Sequence, residues 1–377
     1  MDFKFRAFLL LHFMLFYLPI ASSNPCPSYI CKPSSMAFAA DTCLYYTNEA
    51  LTYYARECSG NKLCKYATGS NNKTCEDETL SFGHSWVGEK CKTNKDCFKG
   101  VSSGCVDGTC QGTPMGQSCT SIYQCYPGNS CINKQCIPLI EIGQKGCSSD
   151  FDCVNNGACN VTSGNPQTNT CYEVFSFEPH SPVGDCNNNQ SMLCKYTTCA
   201  LNKADYNYYC TEMLVSDPEP ASLCDVNQNR CPAKPDNFFN PPYVANQYCA
   251  CGYNSEGNSY CNLFLGDGPG LSLLSIRAKW YSSEAILKCN TGRREEFNCI
   301  KDYWDEKNFK AYYYWTTYFQ EYNYIIGSEK CVLNTADSSY VYAKKLYDGE
   351  AGDSGDSDEN SSGGILGISL LIGIFLH

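Results

Sequence analysis

A chain of 377 residues with 30 cysteines and only four histidines has the composition of a disulfide scaffold, not of an enzyme built around one large apolar core. An even set of thiols at this density stays paired only in an oxidising compartment, so the chain reads as exported. Its formal net charge of −11 excludes a general nucleic-acid-binding role, because neutralising phosphates needs a basic surface.

Lys4 and Arg6 precede an apolar run from Ala7 to Ile20, and Ala21-Ser22-Ser23 supplies small residues where a signal peptidase reads. Residues 1–23 are therefore predicted to be a signal peptide cleaved after Ser23, the run being short of the ~20 residues a bilayer span needs. Residues 24–86 form an N-terminal cysteine-rich segment with Cys26, Cys31, Cys43, Cys58, Cys64 and Cys75. Leu44-Tyr45-Tyr46 and Leu51-Thr52-Tyr53-Tyr54 predict a short hairpin. The C-x5-C pair Cys58 and Cys64 suggests a divergent relative of the repeat that follows.

That repeat occupies residues 87–172 as three tandem units of four cysteines: Cys91, Cys97, Cys105 and Cys110; Cys119, Cys125, Cys131 and Cys136; Cys147, Cys153, Cys159 and Cys171. The first cysteines are spaced 28 residues apart both times, and a glycine lies just upstream of each: Gly88, Gly116 and Gly143. A fixed period of this length marks repeated small modules. None is large enough to bury a core alone, so two disulfides per unit must replace hydrophobic burial, each worth about 3 kcal/mol for a loop of ~15 residues. Four cysteines allow three pairings, and spacing does not choose among them. Asp107-Gly108-Thr109 and Pro127-Gly128-Asn129 predict tight turns between short strands.

Residues 173–265 read as a degenerate cysteine-rich region. Val183-Gly184-Asp185-Cys186 opens a fourth, looser unit with Cys194, Cys199 and Cys210, and Pro218 to Pro242 then break up the chain. Cys249-Ala250-Cys251 and Cys261 close a turn-rich disulfide loop similar to the last half of an EGF module. From Gly266 cysteines thin out and aromatic residues become dense, so residues 266–349 are predicted helical. Trp315, Phe319, Tyr322 and Ile326 recur at helical intervals, Ser282-Ser283-Glu284 resembles the start of a second helix, and Cys289 with Cys299 would clip their connection at an Asn290-Thr291-Gly292 turn.

Residues 350–377 combine an acidic Gly/Ser stalk with the apolar tail Ile365 to Leu376, the pattern of a glycosylphosphatidylinositol attachment signal. Asp353-Ser354-Gly355 leaves a nine-residue polar spacer before Ile365, which makes Ser354 and Asp353 the candidate attachment residues; Asn360 is the closer alternative. Sequons at Asn72, Asn160 and Asn189 are candidate glycosylation sites. The fold class expected is thus small disulfide-rich modules in tandem, made of short β strands and turns, followed by a small aromatic-rich helical region.

Constellations that suggest chemistry have plainer readings. Gly352-Asp353-Ser354-Gly355 looks like a serine-protease nucleophile motif, but it lies in the stalk and no histidine base accompanies it. Asp353, Asp356 and Asp358 lack the glycine and terminal glutamate of an EF-hand loop. Cys249-Ala250-Cys251 is expected to be structural, and the run Tyr312-Tyr313-Tyr314-Trp315 to pack a helical core before it offers faces to sugars. No catalytic residue, metal or cofactor is expected. His84 and His180 are the histidines left for such roles outside the terminal segments.

The pattern G-x-x-C-x5-C-x5–7-C-x4-C resembles the Dickkopf N-terminal cysteine-rich module, and the layout from about Cys43 to Gly268 is similar to cysteine-rich surface proteins of ciliated protozoa. Dickkopf proteins bind receptors and modulate signalling, so that resemblance implies an extracellular ligand. The leading expectation is a non-enzymatic, lipid-anchored surface protein whose modules form a rod or coat and contact an extracellular protein or glycan. A secreted or shed receptor-modulating ligand is the alternative.

Overall fold

The structure, a computed structural model, describes residues 26–39, 41–48, 50–59, 62–66, 72–77, 84–162, 164–187, 189–217, 219–220, 222–226, 230–336 and 338–351. The expected signal peptide and the attachment residues Asp353, Ser354 and Asn360 lie outside them.

Aromatic and threonine-rich stretches of the N-terminal segment form five strands: β1 (Ser28–Cys31), β2 (Thr42–Thr47), β3 (Thr52–Ala55), β4 (Lys62–Tyr66) and β5 (Lys73–Asp77). Their order is β1-β3-β2-β5-β4. The expected hairpin is β2–β3, with Tyr45 opposite Tyr54 and Tyr46 opposite Tyr53, while β1 joins β3 in parallel. Cys43 bonds Cys64 and Cys58 bonds Cys75. Cys58 and Cys64 are therefore the second and third cysteines of a set paired first to third and second to fourth, with Cys64 facing Cys75 across β4–β5; it differs from the later units in that this hairpin belongs to a five-stranded sheet.

The repeat units share one connectivity, first to third and second to fourth cysteine: Cys91–Cys105 and Cys97–Cys110, Cys119–Cys131 and Cys125–Cys136, Cys147–Cys159 and Cys153–Cys171. Each closes a hairpin whose strands place the third and fourth cysteines directly opposite: β6 (Gly104–Val106) with β7 (Thr109–Gln111), β8 (Asn129–Ile132) with β9 (Gln135–Pro138), and β10 (Gly157–Asn160) with β11 (Thr170–Glu173). The expected Asp107-Gly108 turn has both residues at positive φ, 51° and 76°, and Asn133-Lys134 repeats it at 51° and 62°. This mirror-image turn matches the twist of the flanking strands.

The upstream glycine has a defined task. Gly88, Gly116 and Gly143 sit at φ +90°, +81° and +83°, and their amides donate to the carbonyls of Cys110, Cys136 and Cys171, the last cysteines of their units. The fourth unit obeys the same rule from an unexpected residue. His180, at φ 67°, donates to the carbonyl of Cys210, and Cys210 returns a bond to Ser181. The unit thus opens at His180, three residues before the expected Val183, and Cys186–Cys199 and Cys194–Cys210 complete it. In all four units the second cysteine forms a parallel bridge to the incoming chain, at Ser85, Thr113, Ile140 and Phe177.

Cys224–Cys249 and Cys231–Cys261 give a further set with the same connectivity, in the stretch expected to form a turn-rich disulfide loop. Cys249 and Cys261 again face each other across a hairpin. Cys251 is left over, and it bonds Cys26, while Cys31 bonds Cys331. These two bridges span 225 and 300 residues and tie the N-terminal sheet to the rest of the chain.

The helical region comprises α1 (Gly268–Tyr281), α2 (Phe297–Tyr303), α3 (Glu306–Ile325), α4 (Lys330–Ala336) and α5 (Ser338–Ala351). Buried Asp267 precedes α1 and accepts hydrogen bonds from the amides of Phe264 and Ser216 and from the Ser216 hydroxyl; Asp305 caps α3 through the Asn308 amide. The expected helix at Ala285-Ile286-Leu287 is only a 3-10 turn, Glu284–Lys288. It stops because the Asn155 amide group takes the carbonyls of Ile286 and Cys289, and Cys289–Cys299 then turns the chain. On α3 the buried face is Phe309, Tyr312, Tyr313 and Thr317. Trp315, Phe319 and Tyr322 are half-buried, and α5 packs along the helix: Tyr314 stacks on Tyr347 at 4.6 Å and Tyr318 on Tyr340 at 5.6 Å.

One apolar cluster joins helices and repeats. Trp280, Ile286, Ile300 and Phe309 share it with Val174 and Ala158 of the third unit and Val183 and Leu193 of the fourth. The third and fourth units are thus seated on a helical spine, because a four-cysteine unit leaves apolar residues that a neighbouring element covers. Val332 of α4 does the same for the N-terminal sheet.

Candidate functional site

The short loop from Ile286 to Glu296 is where the spine grips the units, and it does so mainly through side chains that bind backbone. Asn290 Nδ2 donates to the carbonyls of Ile122 and Cys125 in the second unit, at 3.0 and 2.9 Å. Arg294, 5 % exposed, donates from Nη1 to Asn155 and Gly157 in the third, at 3.1 and 3.2 Å. Gly292 is required by close approach, since a Cβ there would meet Tyr123 at 2.6 Å and Ile122 at 2.8 Å. A guanidinium or amide that satisfies buried carbonyls fixes orientation as well as contact.

The first unit is held differently, and its junction creates the most polar surface of the site. Arg293 lies 3.7 Å from the Trp86 ring centroid and 4.8 Å from that of Tyr123, and Phe98 stacks on Trp86 at 4.4 Å. The Tyr303 hydroxyl donates to the Gly88 carbonyl. Lys90 donates twice to Asp302, from its amide to the carboxylate at 2.7 Å and from Nζ to the carbonyl at 2.6 Å. Beneath them Glu89 is 1 % exposed; its Oε2 accepts from the Trp86 amide at 2.7 Å, and Oε1 has no partner. Burial pushes this carboxyl up to about 7 against the pull of the Trp86 amide, and the negative charges of Asp302 and Glu296 add to the rise.

Lys90 also lines an open groove of about 800 Å³, together with His84, Ser85, Cys91, Lys92, Lys95, Asp96 and Gly108. Lys92 and Lys95 are exposed on the loop between Cys91 and Cys97. The amides of Thr93 and Lys92 both donate to Asp96, which holds its carboxyl below the usual range. That carboxylate is committed to shaping the loop. The groove therefore presents ammonium groups in excess, on a chain whose overall charge is strongly negative.

The remaining residues singled out by sequence are dispersed. His84 meets Phe98 edge-on at 6.3 Å, whereas His180 stacks on Phe238 at 4.1 Å with Nε2 at 3.3 Å from Asp236; the two histidines belong to different units. Asn189 is exposed. Asn72 and Asn160 are half-buried, with their oxygens accepting from the amides of Tyr46 and Gly184. Triads such as Cys119, Cys125 and Cys136 bring their sulfurs within 4.8 Å of one another, a spacing metals use. All are disulfide-bonded, and a disulfide sulfur has no thiolate to offer an ion. The grip of Asn290 and Arg294 and the burial of Glu89 were missed from sequence. The only available sign was a polar, cysteine-clipped turn in an aromatic stretch.

Among the described residues no helix is long and apolar enough to cross a membrane. Compared with known proteins, the chain matches no family model, no curated protein and no solved structure.

Proposed function

We propose that the protein is a non-enzymatic contact or ligand-binding module of the cell surface, held on the outer face of the plasma membrane by a glycosylphosphatidylinositol anchor. Its heavy disulfide content is that of an extracellular cysteine-rich protein. The observation that carries the binding role is the pre-organised groove of the first unit, whose walls are fixed by Cys91–Cys105, Cys97–Cys110 and the spine, so that a ligand meets a surface already ordered. The anchor rests on the C-terminal sequence pattern alone.

The test is release of the native protein from intact cells by phosphatidylinositol-specific phospholipase C, followed by mass analysis of the C-terminal peptide. An ethanolamine-linked terminus near Ser354 or Asn360 is expected. Protein free in the medium without treatment would replace this reading with a soluble, receptor-modulating ligand of the Dickkopf type. Protein that stays bound with Ile365 to His377 attached would refute the lipid anchor.

A further inference from the structure

The first unit is richer in lysine than its neighbours. Lys90, Lys92, Lys95 and Lys99 fall within ten residues of one another, and Lys92, Lys95 and Lys99 are exposed. Lys90 is tied to Asp302, which leaves Lys92 and Lys95 as the groove's outward charges. They stand on a loop closed by two disulfides and by the Asp96 carboxylate, so the backbone that carries them needs no ordering when an anion binds. Next to His84, which lines the groove, Phe98 is 38 % exposed although its ring also stacks on Trp86. The aromatic group is thus fixed from behind and open in front.

We propose that this groove binds a polyanionic polysaccharide carrying sulfate or phosphate esters, with Lys92 and Lys95 on the ester groups and Phe98 against the apolar face of a sugar ring. The inference deepens the contact-module reading and rests on it for the extracellular setting. Two features favour a glycan over an acidic peptide. Recognition of acidic peptide motifs relies on clustered arginines, whose planar fork pairs a carboxylate through two bonds, whereas the cations lining this groove are all lysines. At the His84 edge of the groove the Phe98 ring, 6.3 Å from the imidazole, offers a surface that suits the flat apolar face of a pyranose.

The experiment uses the full mature protein with three immobilised probes: dextran sulfate, inorganic polyphosphate and poly-glutamate. Native protein is expected to bind dextran sulfate with an affinity that falls steeply as salt rises. Lys92→Ala with Lys95→Ala should weaken binding to dextran sulfate and polyphosphate by about tenfold, while Lys134→Ala with Lys145→Ala, exposed lysines of the second and third units, should change neither. Phe98→Ala should weaken dextran sulfate binding several-fold and leave polyphosphate, which has no ring, unaffected. Near-UV circular dichroism and a non-reducing mass confirm that each variant is folded and fully bridged. The proposal is overturned if native protein ignores dextran sulfate, if the control lysine pair matters equally, or if poly-glutamate binds as tightly. An unchanged affinity of the Phe98 variant would remove the sugar and leave a bare anion site. Since these readouts use soluble protein, they stand apart from the phospholipase result: a glycan-binding protein without an anchor and an anchored protein without glycan binding give different patterns.

Discussion

The tandem units and the helical spine solve the same problem by opposite means. In the second unit the buried interior is Cys119, Cys125 and Cys136, packed with Cys131 and almost nothing else; cross-links, not burial, make it fold. In the spine, Trp280, Ile286 and Ile300 are fully buried in a largely aromatic and aliphatic cluster to which the helical region itself contributes the disulfide Cys289–Cys299. A chain that places covalent modules on a hydrophobic centre gains the local toughness of the first and the mutual orientation supplied by the second. The contrast predicts that damage to the spine spreads and damage to a unit stays local.

Trp280→Ala should therefore have the largest effect. The side chain has no exposure, and its Nε1 donates to the Arg294 carbonyl at 2.7 Å, so truncation opens a cavity and orphans a carbonyl at a cost of about 3–5 kcal/mol. Denaturant unfolding should show the loss globally, and hydrogen exchange should rise in the third and fourth units, whose residues share that cluster. Retention of native protection in those units would show that the modules do not depend on the spine. Replacing both Cys119 and Cys131 by serine should cost about 2–4 kcal/mol, with faster exchange confined to residues 116–138 and the first unit's groove intact. If exchange rose across the helices instead, the contrast between the two regions would fail.

The junction between them has its own sensitivity, and its sign follows from Glu89. The carboxyl ordinarily titrates near 4.5 and is raised to about 7 in the folded chain, chiefly by burial. Between those values the folded state holds a proton that the unfolded state has released. Stability is therefore greatest below pH 4.5 as far as this group is concerned and declines as pH rises through the window to about 7, by about 3 kcal/mol. Glu89→Gln, which keeps the acceptor for the Trp86 amide, should flatten that slope. Chemical denaturation at a series of pH values measures it, and an unchanged slope in the variant would assign the dependence to other carboxyls.

Sequence displayed some levels of this design and concealed others. The 28-residue period of Cys91, Cys119 and Cys147, the β2–β3 hairpin and the long helix around Tyr312 were all legible, since each is a local pattern. Connectivity was not, because first-to-third pairing depends on how a hairpin folds over a loop. Cys26–Cys251 and Cys31–Cys331 leave no trace at their separations of 225 and 300 residues. Asn290 and Arg294 act on backbone carbonyls, and a carbonyl is the same at every position, so no residue pattern announces the partner. The groove escaped for another reason: its lysines lie in a chain of opposite net charge, and only the fold separates them from that background.

The smallest expected effect tests the repeat rule itself. Gly88, Gly116 and Gly143 share a left-handed backbone and the same bond to the last cysteine's carbonyl, and a Cβ at Gly143 would meet nothing within 4 Å. Gly143→Ala thus isolates the backbone term, roughly 1 kcal/mol for a residue with a side chain in that region, and should speed exchange at the Cys171 amide, which is bonded to Gln144. The fourth unit already carries that cost at His180, φ 67°, where the ring stacks on Phe238 and contacts Asp236. His180→Gly removes the strain and the contacts together, so its net change should be well below that of Gly143→Ala. A large loss at His180→Gly would mean that the imidazole contacts, not the shared turn, hold the fourth unit in register with the other three.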